Sequence, residues 1–140
     1  MSSRRELITR IVQIAGKRLA TPEAKQFRLF LEQVIHVHPE ENLFRQTDES
    51  NFGAFYGLFR FARKRRPDET RVLVFNPSLA KDGWKSSRTL IYFNQTDVPF
   101  LVDSVRMALN RMRTDIYLLL SNPVTLVRDA EGLIKDLQPV

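Results

Sequence analysis

The 140-residue chain contains no cysteine. Disulfides, cysteine-ligated zinc, iron–sulfur clusters and thiol catalysis are therefore excluded, and the composition suits a reducing compartment. Glycine is scarce, at five residues, and neither Gly-x-Gly-x-x-Gly nor Gly-x-x-x-x-Gly-Lys occurs. Both nucleotide fingerprints are thus missing, with little material for a phosphate cradle. Histidine is limited to His36 and His38. Two positions apart on a helix, they do not face each other and make a poor metal pair, even with Glu40 and Glu41 close by. A Ser-His-Asp centre would have to recruit one of them from the end of an amphipathic helix, and no Gly-x-Ser-x-Gly turn is present. No apolar run approaches the ~18–20 residues of a membrane span. The longest, Ile116 to Val127, is broken by Ser121, Asn122 and Pro123. The first twenty residues lack the apolar centre of a secretory signal. They are arginine-bearing and amphipathic, a pattern shared by mitochondrial presequences and by the far commoner surface helix, which is the expectation here. The inventory points to no catalytic residue, no cofactor-binding residue and no metal ligand.

What is present suits one ordinary domain: 43% hydrophobic, 27% charged and 10% aromatic residues. Ten of the aromatics are Phe, which has no polar handle and serves packing. A folded chain of this size buries roughly 68–70% of the surface its unfolded form exposes, so a core is feasible without staples. The net charge of +6 admits acidic partners but falls short of the dense basic stripe a phosphate backbone needs.

The front half reads as helical. Leu7, Ile8, Ile11, Val12, Ala15 and Leu19 follow the i, i+3/i+4 spacing of one buried stripe. Gly16 weakens this helix by ~1 kcal/mol relative to Ala. Thr21 and Pro22 form a start signal, Thr as cap and Pro in the first turn. Phe27, Phe30, Leu31 and Val34 repeat the stripe up to Pro39, and a polar link from Glu40 to Ser50 leads to a third helix lined by Phe52, Phe55, Tyr56, Phe59 and Ala62. This helix closes with Arg63, Lys64, Arg65 and Arg66 before Pro67. Cations there interact favourably with the exposed carbonyls, by ~0.3–1 kcal/mol each. Salt bridges to another domain, or nucleic acid, are the other readings of the run.

The period changes in the back half. Arg71 to Phe75 and Thr89 to Phe93 are short β-rich runs, apolar on both faces, which predicts a covered sheet. Asp97 and Pro99 open a helix with the stripe Leu101, Val102, Val105, Ala108 (or Leu109) and Met112. Ile116 to Leu120 and Val124 to Val127 are further strand candidates around the Asn122-Pro123 turn, and Leu133 and Ile134 start a last strand. Three helices followed by β-β-α-β-β-β is an α+β order with the helix on one sheet face.

One pattern is concentrated: Val74-Phe75-Asn76-Pro77, then Asp82-Gly83-Trp84-Lys85-Ser86, Thr89, and finally Asp97 through Ser104 with Pro99-Phe100-Leu101-Val102-Asp103-Ser104. Asp82-Gly83 makes a turn, the sole tryptophan, Trp84, covers a sheet edge or the mouth of the core, and Asp97 stands where a helix cap would be. These residues resemble the N-terminal non-catalytic region of the large bacterial NAD-dependent glutamate dehydrogenases. That family carries Val-x-Asn-Pro, Gly-Trp-x-Ser and Pro-Phe-Leu-Val-Asp-Ser at this spacing. The resemblance is specific from Val72 to about Gly132 and loose over the helical front.

The resemblance implies catalytic and NAD-binding domains far downstream, in a whole enzyme that deaminates L-glutamate to 2-oxoglutarate with NAD, of which this chain is a piece without turnover. It implies ACT-like (ferredoxin-like) modules, βαββαβ units that bind amino acids and regulate an attached enzyme. Leu90–Phe93, Pro99–Met112, Ile116–Leu120 and Val124–Val127 match the first β-α-β-β of such a unit. The unit is then incomplete, or Val72–Phe75 supplies a strand. The expected division is a helical segment over 1–67 and the ACT-like module over 68–140. Asp97, Val98, Pro99 and Phe100 are the candidate effector-binding residues, with amides near Asp97 and Val98 receiving a carboxylate. Ligand-binding ACT modules usually place Gly at this corner. Phe100 would crowd it, and the competing reading is that Phe100, Leu101 and Val102 simply pack it. The implied partners are downstream domains of the same polypeptide, further copies through edge strands, and an amino-acid effector, with neither nucleic acid nor membrane, in the cytoplasm. The alternative is a small basic nucleic-acid-binding module using Arg60 and Arg63 to Arg66 beside exposed Phe or Tyr; a free-standing enzyme built on His36 or His38 is weaker still.

Overall fold

The computed structural model describes residues 3–139. Helices α1 (Arg4–Arg18), α2 (Thr21–Val34), α3 (Glu40–Arg45) and α4 (Asp48–Ala62) come first. Strand β1 (Arg71–Phe75), the one-turn helix α5 (Leu79–Asp82) and strand β2 (Leu90–Asn94) follow, then α6 (Leu101–Arg111), β3 (Leu126–Arg128) and β4 (Ile134–Leu137). The chain is α+β, and its described residues form two separate two-stranded antiparallel sheets, β1–β2 and β3–β4.

Local chemistry sets the helix ends. The Ser3 hydroxyl accepts the Glu6 amide at 3.2 Å to start α1. Ala20, not Thr21, takes the cap position of α2, with Pro22 in its first turn. That helix ends at Val34 in a 3₁₀ turn, Ile35–Val37, and Pro39 introduces α3. The expected polar link therefore holds a helix, because Leu43 is apolar enough to be buried and Asn51 Nδ2 donates to its carbonyl at 2.9 Å. Thr47 caps α4 by accepting the Ser50 amide at 3.1 Å.

One core gathers Leu7, Ile11 and Ala15 of α1, Phe27, Phe30, Leu31 and Val34 of α2, and Phe52, Phe55 and Phe59 of α4. Phe27 is its hub: its ring meets those of Phe52, Tyr56 and Phe59 edge-on at 5.7, 5.8 and 5.7 Å. Ile134 and Leu137 of β4 belong to the same core. Gln33 fastens this C-terminal hairpin to α2, donating to the Thr125 and Gln138 carbonyls at 3.1 and 3.0 Å and accepting the Thr125 amide at 2.9 Å.

The back half departs from its pattern in three places. The β1–β2 hairpin is covered only in part on one face, where Tyr92 packs on Phe61 of α4 and on Phe75 while its cross-strand partner Leu73 stays exposed, and Val72, Val74 and Phe93 on the other face are exposed. Two strands with a single supporting helix cannot enclose both faces. Helix α6 half-buries Leu101, Val102, Val105 and Leu109 and leaves Ala108 and Met112 exposed, a narrower stripe than its sequence suggests. Ile116 to Leu120 is not a strand, and of Val124 to Val127 only the end is one, as Leu126–Arg128. Pairing requires a partner, and only Leu126–Arg128 finds one, in β4.

Candidate functional site

The four residues singled out for an effector, Asp97, Val98, Pro99 and Phe100, form the exposed connection from β2 to α6. Asp97 does not cap the helix. Phe100 occupies the cap position, and Asp97 lies three residues too early for its carboxylate to meet the first free amides. Phe100 does not pack the corner either: it is 77% exposed. Its backbone has φ 65°, ψ 14°, the left-handed conformation that favours glycine. The chain thus keeps the shape of a glycine corner with a phenylalanine in it, and turns the ring outward. Leu101 and Val102 are half-buried. No side chain caps α6, so the amides of its first turn stay open.

The motif residues upstream build the β1–β2 crossover. Thr89 Oγ1 donates to Asn76 Oδ1 at 2.7 Å, closing the base of the crossover. Pro77 is buried. Ser78 starts α5 by accepting the Lys81 amide at 3.3 Å, and Asp82 Oδ2 accepts the Ser78 amide at 2.8 Å. Gly83 ends that turn at φ 77°. The turn sits on Gly53 of α4, where an added Cβ would lie 3.0 Å from the Gly83 carbonyl oxygen. Trp84 follows, half-buried, lining an open cleft of about 510 Å³ with Gln46, Lys85, Ser86 and Ser87. Burial, with a smaller contribution from Asp82, pushes the Tyr92 hydroxyl up to about 12.

Arg63 and Arg65 of the basic run after α4 are held by the fold, while Lys64 and Arg66 are exposed. Arg63 Nη1 pairs with Glu23 Oε2 at 2.5 Å, and the same carboxylate accepts the Tyr56 hydroxyl at 3.1 Å. The Arg65 amide donates to the Gly132 carbonyl at 3.0 Å and the Ile134 amide to the Arg63 carbonyl at 2.9 Å, with Lys64 bridging Leu133 between them. Arg65 Nη1 caps the carbonyls of Arg66, Pro67 and Glu69, Arg71 Nη1 those of Phe61 and Lys64, and Arg128 Nη1 those of Arg63 and Gly132. The neighbouring rings of Phe59 and Phe61 are buried, so they offer no stacking platform for nucleic-acid bases. Sequence reading found Arg65 in its run, but nothing in the pattern relates it to Arg71 or to Arg128.

His36 is exposed, whereas His38 is half-buried with its ring edge-on to Phe55 at 4.8 Å. Burial, helped by the Arg4 charge, pushes His38 down to about 4. The unfolded chain therefore takes up this proton first, near pH 6.5. The stability that neutral His38 contributes is complete above about pH 6.5 and is lost as pH falls toward 4. The loss amounts to about 2 kcal/mol once the ring's partial exposure is discounted. Urea midpoints measured from pH 7 to 4 should fall for the wild type, and His38→Phe should remove that part of the slope. An equally steep slope in the variant would assign it to other groups. Among the described residues, no three of His, Asp and Glu gather as a metal site would require.

The family model for the glutamate dehydrogenase ACT1 domain matches residues 30–140. The chain belongs to that family. It is 34% identical to an NAD-specific glutamate dehydrogenase of Pseudomonas aeruginosa over 114 residues, 81% of this chain and 7% of the relative. It is 29% identical to the Halomonas elongata NAD-specific glutamate dehydrogenase over 129 residues, 92% of this chain and 8% of that protein. The chain thus spans less than a tenth of the length of these curated relatives. No solved structure matches it. The match runs from the middle of α2 through both hairpins, so the family extends over α3 and α4, which had carried only a loose resemblance.

Proposed function

We propose that this chain is the N-terminal, non-catalytic regulatory and assembly region of a large NAD-dependent glutamate dehydrogenase, a cytoplasmic enzyme that converts L-glutamate to 2-oxoglutarate. The observation that carries this reading is the ACT1 match over most of a chain that is so small a part of its relatives. The residues here do not suit NAD. Two isolated antiparallel hairpins lack the crevice between parallel strands where dinucleotides bind, and no glycine fingerprint opens a helix. NAD and the hydride transfer it supports are assigned to the remainder of the enzyme. In this reading segment 1–67 and the ACT-like residues 68–140 transmit strain as one piece, because Ile134 and Leu137 sit in the helical core.

The effector, on this proposal, is an amino acid whose carboxylate meets the open amides of α6 beside Asp97, Val98, Pro99 and Phe100. Isothermal titration with glutamate, aspartate and arginine tests it. Heat is expected for one of them, with tighter binding to Phe100→Gly, which clears the ring and relieves a left-handed φ by about 1 kcal/mol. No heat for any of the three removes the effector and leaves the assembly role. Self-association is proposed through the free edges of β1 and β2. Sedimentation at high concentration should show a species above the monomer; a strict monomer overturns that part.

A further inference from the structure

We propose that Arg65, Arg71 and Arg128 together form a binding site for an oxyanion, a phosphate or carboxylate group. The three come from the α4–β1 connection, the first residue of β1 and the last of β3, and the lower end of α4 brings them together. Each is anchored in the same way, through Nη1 on backbone carbonyls between Phe61 and Glu69 or at Gly132. The Arg71 guanidinium also lies over the Phe61 ring, 4.8 Å from its centroid. Anchoring one nitrogen of a planar fork fixes the direction of the other donors.

Those other donors are unused. Among the described residues, none accepts a hydrogen bond from Nε or Nη2 of Arg65, Arg71 or Arg128, and the Nε atoms of Arg65 and Arg128 are buried without a partner. None of the three makes an ion pair with a described carboxylate. The nearby acids are engaged otherwise: Glu23 holds Arg63 and Tyr56, Glu69 accepts the Arg66 amide, and Asp129 accepts the amides of Glu131 and Leu133. Of the anchoring carbonyls, those of Phe61 and Arg63 belong to the C-terminal end of α4, which presents about half a negative charge against three full positive ones. Burial, and then the charges of Arg65 and Arg71, push Arg128 below the ordinary arginine range. An oxyanion between the forks would take charge-assisted bonds from the unpartnered Nη2 groups, which unlike the two buried Nε atoms are not closed off, and would cancel the repulsion. This inference does not depend on the regulatory reading above.

The test is thermal unfolding of the 140-residue chain in pyrophosphate, in citrate and in sodium chloride at matched ionic strength. Saturable stabilisation by pyrophosphate or citrate beyond that of chloride is expected, and the more effective of the two identifies the phosphate or the carboxylate class. Arg128→Lys keeps the charge but loses the fork and should weaken the apparent affinity about tenfold. Arg28→Lys, on the distant Arg28–Glu32 pair of α2, should leave it unchanged. Should Arg128→Lys not fold, the arginine Nε–Hε resonances of the wild type decide, since those of Arg65 and Arg128 should shift during the titration. Stabilisation that merely follows ionic strength, or resonances that do not move, overturns the site.

Discussion

Replacing Phe27 by alanine should cost about 3–5 kcal/mol, the range for emptying a fully enclosed phenylalanine site. The residue is 0% exposed and its ring is met edge-on by Phe52, Tyr56 and Phe59. The loss combines the transfer term of the ring, a cavity that three rigid aromatic neighbours cannot close, and the edge-to-face contacts themselves. A shift of this size is a large part of the ~5–15 kcal/mol that holds an ordinary domain folded. In urea it should move the midpoint by about 2 M. Val74→Ala, on the exposed face of the β1–β2 hairpin (Val74 is 60% exposed), should stay within about 0.5 kcal/mol. Equal effects from the two substitutions would mean that the helical core is not where the stability resides.

Gly132→Ala should be nearly as damaging, by about 2–4 kcal/mol, although it adds only a methyl group. Gly132 has φ 87°, and a Cβ there would lie 2.5 Å from the Arg65 carbonyl oxygen and 2.8 Å from its carbon. The backbone would have to leave the left-handed region or the two chain segments would have to separate. Separation breaks the Arg65-to-Gly132 bond and loosens the Ile134-to-Arg63 bond, which together dock the C-terminal hairpin on the end of α4. Gly16→Ala is the opposite case, since its Cβ would meet nothing within 4 Å inside α1. It should stabilise by about 0.5–1 kcal/mol. Parallel melting curves read both signs at once, and a Gly132→Ala variant as stable as the wild type would show that the hairpin does not depend on this approach.

The helices were legible because their signal is local. Leu7, Ile11, Phe27, Phe59 and their neighbours recur at the helical period, and all face the core. Family membership was legible for a related reason: Asn76-Pro77, Gly83-Trp84 and Pro99 to Ser104 are short motifs, and the structure puts the first two in the crossover between β1 and β2. The β elements were harder. Ile116 to Leu120 has strand composition but no strand beside it, and β-propensity reports fitness for a pleated, half-buried surface rather than a backbone preference. The candidate corner was not legible. Phe100 was expected to crowd or pack the corner, and its outward turn depends on a φ that no sequence rule assigns to phenylalanine.

The sequence by itself determined the α+β order, the apolar stripes of α1, α2 and α4, the ACT1 family and the absence of a nucleotide fingerprint, because each is written in spacing along the chain. Only the tertiary structure decided that β4 completes the helical core, that Gly132 must be glycine and that Arg65, Arg71 and Arg128 come together without an ion pair to any described carboxylate. Each of those three features depends on bringing residues of the last two strands and their turn against residues more than about 50 positions earlier in the chain. Composition and period constrain a residue's neighbours on its own element, whereas the meeting of distant segments follows from how whole elements pack.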